Sequence, residues 1–317
     1  MIRKTTRSGL VARRGLIAGV LLASIGLASA PFSQSGLAAR PAAHPAAKAT
    51  INVGTKNFGE EYLVSDMYKM LLEKHGFHVG KTHNLATTPV LQAALQRGQI
   101  DMYPEYTGTG QEVVLKRKGL ANEAKEYASV KSGYEKKFHL TWLKDAPMND
   151  TNGVAVTAAT AQKFGLHTLS DLAKVAGQLG FAGLPDCKDR PDCLGGLQNV
   201  YGAKFKSITY VDSQPIMYNG VHDGTYDVIE VFTTDGPIKA LNLRVLKDNK
   251  GIFPADHIAP VVRDSVLHAH PEIAMILNPL ARYLTTGALE KMNVQVVLNS
   301  KDPMVIARAF LKSKHLL

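Results

Sequence analysis

A chain of 317 residues that is 45% hydrophobic and 20% charged lies in the globular range, with room for two compact lobes, which excludes a disordered or fibrous protein. Its formal charge of +10 is concentrated at the front, because residues 1–50 hold seven basic and no acidic side chains. Without them 30 basic groups face 27 acidic ones, a balance that argues against a nucleic-acid-binding surface.

The chain opens on the basic stretch MIRKTTRSGLVARR and the apolar run GLIAGVLLASIGLASA, which ends in a small-x-small pattern at Ala28–Ala30. This is the pattern of an export signal, residues 1–30, with a second cleavage site after Ala39. A retained membrane anchor is the alternative, but the apolar run is shorter than the ~20 residues a spanning helix needs. No cysteine stands near the end of the run, so a soluble periplasmic product without a lipid tether is expected. Residues 31–50 form an Ala/Pro tract without apolar periodicity and read as a linker.

From residue 51 short apolar runs alternate with helical patterns. INVG is a strand; residues 60–75 form a helix with Leu63, Val64, Met67, Met70 and Leu71 on one stripe. A strand HVGKTHNL, a helix PVLQAALQRG and a strand IDMY (100–103) follow, then helical stretches near 109–118 and 121–138 and the segment LTWL. A second series begins at GVAVT (153–157) and includes the helix LSDLAKVA, with Ser170 as its expected cap. It continues through LGFAGL, GGLQNVYG, SITYV, PIMYNGVHDG and YDVIEVF. After HIAPVVRDS (257–265) the remainder is helical, and those helices have no new sheet to cover, so they return to the first lobe.

The pattern predicts two α/β lobes, 51–153 with 258–317 and 154–257, joined by two chain crossings that make a hinge over a cleft. Ligands of open parallel sheets bind beyond the carboxyl ends of strands. The segment PEYTGTG (104–110), directly after IDMY, stands at such an end.

Cys187 and Cys193 are the only cysteines, and in an exported chain they predict a local disulfide. The alternative, a metal site, has Asp186, Asp189 and Asp192 as weak additional ligands. HGFHVGKT (75–82) lacks the glycine of a phosphate-binding loop and leads into a strand. No GxSxG elbow is present and no nucleophile is identified beside the acidic groups near 100–106. No catalytic residue, cofactor or metal is therefore expected.

Several stretches in one order, VGTKNF (53–58), TTPVLQAALQRGQIDMYPEYTGTG (87–110), APMNDTNGVAV (146–156), LSDLA (169–173), FTTDGPIKALNLRVLKDNKGIFP (232–254) and APVVR (259–263), give the chain its likeness to a family. It resembles the substrate-binding proteins of glycine betaine/carnitine/choline ABC transporters, in particular the osmoprotectant-type branch, over 51–317. The resemblance implies a two-lobed periplasmic-binding-protein fold of type II, the double-crossover class, with its ligand cleft between lobes. Such proteins hold a quaternary ammonium in an aromatic cage, since methylated nitrogen offers no hydrogen-bond donor and is drawn to ring faces.

Carried onto this sequence, the resemblance makes Tyr106 and Phe232 cage walls. Core packing is the alternative role for both. Two further cage positions are occupied by Asn152 and Asp256. At roughly 0.5–2 kcal/mol per ring, their loss weakens quaternary-ammonium binding on the order of ten- to a thousandfold, and an amide and a carboxylate suit a different small amine or amino-acid derivative. Asp256 has a second reading as a solvated hinge carboxylate. Lys56 either contacts the carboxylate of a zwitterion, with Asp256 opposite, or pairs with a protein carboxylate; Asn57, Thr88 and Thr109 are expected to supply hydrogen bonds. Glu105 and Asp101 have structural duties, and Trp142 packs beneath the hinge. The implied partners are a small-molecule solute and an inner-membrane ABC permease with its ATPase, served by a monomer. An exported enzyme using the interlobe acids is the remaining reading.

Overall fold

A computed structural model describes residues 49–82, 87–120 and 122–317, within a compact unit spanning 46–317; the expected export signal and nearly all of the expected linker lie outside the described residues. The apolar runs form strands β1 (Thr50–Gly54), β2 (His78–Thr82), β3 (Met102–Tyr106), β4 (Leu140–Trp142), β5 (Asn152–Thr157), β6 (Gly180–Gly183), β7 (Ser207–Tyr210), β8 (Val228–Phe232), β9 (Leu243–Val245) and β10 (Ile258–Arg263). They make two five-stranded sheets, β2-β1-β3-β10-β4 and β7-β6-β8-β5-β9. Strands linked by helical crossovers are parallel, β1 with β2 and β3, and β6 with β7 and β8. The strand arriving from the other lobe is antiparallel in each sheet: β10 against β3 and β4, β5 against β8 and β9. The chain thus leaves the first sheet once and returns once.

The first sheet carries α1 (Gly59–Lys74), α2 (Thr88–Gln96), the single turn α3 (Thr107–Thr109) and α4 (Glu123–Phe138); the second carries α5 (Ala158–Phe164), α6 (Leu169–Val175), α7 (Leu194–Asn199), α8 (Gln214–His222) and α9 (Pro237–Ala240). The chain ends in α10 (Asp264–Ala269), α11 (Glu272–Ala281), α12 (Thr286–Val297) and α13 (Pro303–Ser313). The stripe Leu63, Val64, Met67 and Leu71 of α1 shares one buried cluster with Ile273, Leu277, Leu289, Ile306 and Leu311. The last helices therefore return to the first lobe and cover the outer side of α1. No helix among the described residues is long and apolar enough to cross a membrane.

Two local expectations change, and Trp142 packs as expected. β3 runs on through Tyr106, because Pro104 lies opposite Pro260 on the antiparallel β10. A rung where neither residue has an N–H to give lets the strand continue past its proline. Helix α6 is capped by Thr168, not Ser170: the Thr168 side chain accepts from Asp171 N while Asp171 accepts from Thr168 N, a reciprocal capping box. Trp142 is wholly buried in the first lobe, edge-on to Tyr134 at 5.2 Å.

Helix α12 also grips the second lobe. Asn293 Nδ2 donates to Glu60 Oε2 of the first lobe at 2.9 Å and to Thr234 O of the second at 3.1 Å. The approach requires glycine at 236, where a Cβ would collide with Val294 Cγ2 and stand 2.6 Å from Glu290 O. Gly236→Ala is expected to push α12 from the second lobe and favour the open form. Small-angle scattering should show a larger radius of gyration; a profile superimposable on the wild type would refute the strut role.

Candidate functional site

Beyond the carboxyl ends of β1, β3, β6 and β8 the lobes face each other across a cavity of about 180 Å³. The crossings that flank it are bonded to each other: Asp150 N donates to Asp256 O and Asp256 N to Asn149 Oδ1, both at 2.8 Å. Three hydrogen bonds span the mouth, from Asn57 Nδ2 to Asp212 O (3.5 Å), Thr88 N to Asp186 Oδ2 (3.4 Å) and Arg190 Nη2 to Thr109 Oγ1 (3.0 Å). The lobes are closed on one another.

Three rings form one wall of this cavity. Phe58, at the N-terminus of α1, lies nearly parallel to Phe232 at 5.7 Å between centroids and stacks on Tyr106 at 6.2 Å. Phe58 and Tyr106 come from the first lobe and Phe232 from the end of β8 in the second, so the row crosses the cleft. Tyr106 is only 3% exposed, and its hydroxyl donates to Glu60 Oε1 at 2.9 Å. Its ring lies 4.7 Å from the Lys56 ammonium. It is at once a core residue of its lobe and part of the cavity wall.

The polar part of the lining is acidic. Asp150, Asp186, Asp212, Glu230 and Asp256 face the cavity beside only two cations, Lys56 and Arg190. Both cations are already engaged: Lys56 Nζ is 2.5 Å from Glu105 Oε1 and 3.9 Å from Glu61 Oε1, and Arg190 holds Asp192 through Nε at 2.8 Å and Nη2 at 2.5 Å. Burial opposes the charge on each, but the adjoining carboxylates outweigh it and raise both pKa values.

Burial raises the pKa of four of these carboxyls. Burial pushes Asp256 up to about 8 despite Arg190, and Glu230 to about 7. Asp186 is raised by burial against the pull of Arg190. Asp150 is raised well above the carboxylate range by burial and then by Glu60. Three rings beside these carboxyl groups suit an organic cation, which the ring faces stabilise directly and the carboxyls stabilise on ionising.

Lys56, Asn57, Tyr106, Thr109, Phe232 and Asp256 all line the cavity. Thr88 and Asn152 do not. Thr88 is wholly buried at the first turn of α2 and presents its backbone N–H across the mouth, while its neighbour Thr87 reaches the cavity. Asn152 turns into the second lobe, where its Nδ2 donates to Asp192 Oδ2 at 2.7 Å. Asn152 is therefore no replaced cage wall, which weakens the case for a different amine as ligand. Asp256 is buried rather than solvated, accepting from Thr109 N (3.0 Å) and Thr109 Oγ1 (3.1 Å). Lys56 pairs with protein carboxylates, as one of its two readings allowed.

Phe58, Asp150, Arg190, Asp212 and Glu230 line the cavity without having been singled out as site residues, and Asp186 lines it although named only as a weak metal ligand. Two signals were available: Phe58 adjoins Lys56 and Asn57 in VGTKNF, and Glu230 is a lone carboxylate inside the apolar strand VIEVF, where a charge needs a reason. Cys187 and Cys193 are joined in a disulfide. Asp192, named as a weak metal ligand, pairs instead with Arg190, and Asp186 takes Thr88 N.

Residues 49–313 match the family described as the substrate binding domain of ABC-type glycine betaine transport systems. The chain belongs to that family. A glycine-betaine-binding protein of Pseudomonas aeruginosa is 32% identical over 308 residues, covering 94% of this chain and 96% of the relative. A Helicobacter pylori ergothioneine transport permease/ergothioneine binding protein is 33% identical over 261 residues, 82% of this chain. The chain spans only 47% of that longer relative. A crystal structure of a glycine betaine/carnitine/choline ABC transporter protein superposes with a TM-score of 0.66 at 28% identity, covering 84% of this chain and 99% of that one. The family fold is the type II periplasmic-binding fold, and the two antiparallel crossover strands are its mark here. Members of this family are the transport-binding components of their systems.

Proposed function

We propose that the protein is exported by its segment 1–30, which the linker 31–50 follows, and works as a periplasmic monomer. Its lobes, 51–153 with 258–317 and 154–257, close on a small quaternary-ammonium or zwitterionic solute of the glycine betaine, choline or carnitine kind. The closed form then delivers the solute to an inner-membrane ABC permease driven by its ATPase. The observation that carries this reading is the row Phe232–Phe58–Tyr106 set among surplus carboxyl groups in one cavity. Rings attract methylated ammonium without requiring a donor, and the acidic lining adds Coulomb attraction. A ligand carboxylate finds Arg190 in the same cavity, a geometry suited to charge-assisted hydrogen bonds. Closure shifts an existing open/closed equilibrium and requires no catalysis, cofactor, metal or nucleic acid.

Calorimetry of the purified protein with glycine betaine, choline, carnitine and ergothioneine, and with primary amines as contrast, tests the reading. Saturable binding of a methylated ammonium without turnover supports it; consumption of the solute, or preference for a primary amine, overturns it. In the same assay Tyr106→Ala is expected to weaken binding at least tenfold, since a desolvated ring contact is worth about 2 kcal/mol. Tyr106→Phe, which keeps the ring and loses only the hydroxyl on Glu60, should remain within a few-fold. Equal losses in both variants would assign the effect to the Glu60 hydrogen bond instead.

A further inference from the structure

The only two cysteines of the chain close a loop with a sequence separation of 6, immediately after β6. The segment from Leu184 to Cys193, of which the bridge closes the last part, supplies a disproportionate share of the site. Leu184, Pro185, Asp186 and Arg190 all face the cavity, and two of the three bonds across the mouth end on it, Thr88 N to Asp186 and Arg190 to Thr109. The loop holds itself with few backbone bonds, Cys187 N to Leu184 O and Cys193 N and Gly195 N to Arg190 O. Asp186 adjoins the bridge and Arg190 lies within it, where Asp192 also holds the guanidinium; the bridge fixes the backbone beneath both side chains.

We propose that the Cys187–Cys193 bridge is a positioning element for solute capture: it holds Asp186 and Arg190 where they clasp the opposite lobe, so that full affinity belongs to the oxidised protein.

The location separates this role from a general stabilising one. A bridge over so short a loop removes less freedom from the unfolded chain than one closing a long loop, because the entropic effect grows with loop length. The opened state is also accommodated. Cys193 Sγ lies 3.3 Å from Glu230 Oε1, so a thiol there has an acceptor already in place. Reduction by a dithiol breaks the S–S bond; two electrons and two protons convert the sulfurs to thiols, and the dithiol becomes a disulfide. With both sulfurs at most 1% exposed, the bridge resists such a reagent until the loop opens. The side chains at 186 and 190 are then free to leave the mouth, while the sheet beneath them is unchanged.

Thr88 provides a readout that does not depend on the ligand. It is the first residue of α2, so its N–H has no partner within the helix and depends on Asp186 for protection. The affinity arm of the test rests on the proposed solute reading; the amide arm does not. In Cys187→Ser/Cys193→Ser the Thr88 amide should exchange at least tenfold faster than in the wild type, with the amides of β6 and β8 unchanged. The Kd for glycine betaine should rise at least tenfold.

Thr88 exchange within twofold of the wild type would overturn the proposal, as would uniform acceleration of all core amides, which marks global destabilisation. A wild-type protein that binds no glycine betaine would sink the solute reading, and Thr88 exchange would still decide the role of the bridge. Should the serine variant not fold, wild-type protein reduced with dithiothreitol in mild urea and returned to buffer answers the same question, with the same two outcomes.

Discussion

Lys56→Met is expected to destabilise the unliganded protein by about 3–5 kcal/mol, the cost of leaving a buried charge without its partner. Glu105 is wholly buried and lies 2.5 Å from the Lys56 ammonium, with Glu61, also wholly buried, at 3.9 Å. Neither carboxylate has water to turn to when the ammonium is removed. At roughly 2–4 °C per kcal/mol for a chain of this size class, Tm should fall by about 6–20 °C. The double variant Lys56→Met/Glu105→Gln should recover much of the loss, since it removes both members of the pair. A double variant no more stable than the single one would show that Lys56 acts through packing on Tyr106, and not through charge.

The affinity for a permanently charged ligand such as choline is expected to rise with pH between about 5.5 and 8. The unliganded cavity stores protons on Glu230, near 7, and on Asp256, near 8, both held up first by burial. A bound cation favours their ionised forms, so binding releases protons, and each proton released steepens the affinity by up to about tenfold per pH unit. Arg190, which faces these groups from the disulfide loop, stays charged across this window. Calorimetry in two buffers of different ionisation enthalpy reads the proton count directly; a count of zero at pH 7 would refute the linkage.

The same groups set the opposite slope for unliganded stability. An unfolded chain ionises its carboxyls near pH 4, whereas the folded cavity keeps these two protonated until about 7 and 8. The folded state therefore binds more protons between about pH 4 and 8. Stability is full below that window and declines as pH rises through it. Ligand-induced gains in Tm should accordingly widen with pH as the unliganded Tm declines. Parallel melting curves at every pH would contradict both statements.

Much of the architecture was legible because periodicity is a local property. The stripe of α1 and the apolar runs of β5 and β8 declare their burial without reference to anything distant. The proline at 104 misled for a reason of the same kind: its missing donor suggests a strand end, and only the partner strand with Pro260 shows that no donor is required there. Thr168 was passed over as a cap because a serine two positions later also fits the pattern, and the reciprocal bond with Asp171 decides between them.

The site was legible in part. Tyr106 and Phe232 stand at strand ends, where an aromatic residue has few structural reasons to be. Asn152 and Thr88 have side chains suited to a ligand, yet the twist of each strand or helix turns them toward Asp192 and into the first lobe. Asp186 and Arg190 sat in a stretch dominated by its cysteines, and their part in the cleft depends on Thr88 and Thr109, residues 98 and 81 positions away.

By itself, the sequence determined the two-lobe plan, the double crossing and the family, since these follow from hydrophobic period and from motifs read along a single line. The tertiary structure alone decided which carboxyls lose their water, that Phe58 joins the rings of both lobes into one row, and that α12 straddles the hinge. Those facts depend on distances between segments far apart in the chain, and desolvation is a property of what surrounds a group from every side, which no local pattern of residues encodes.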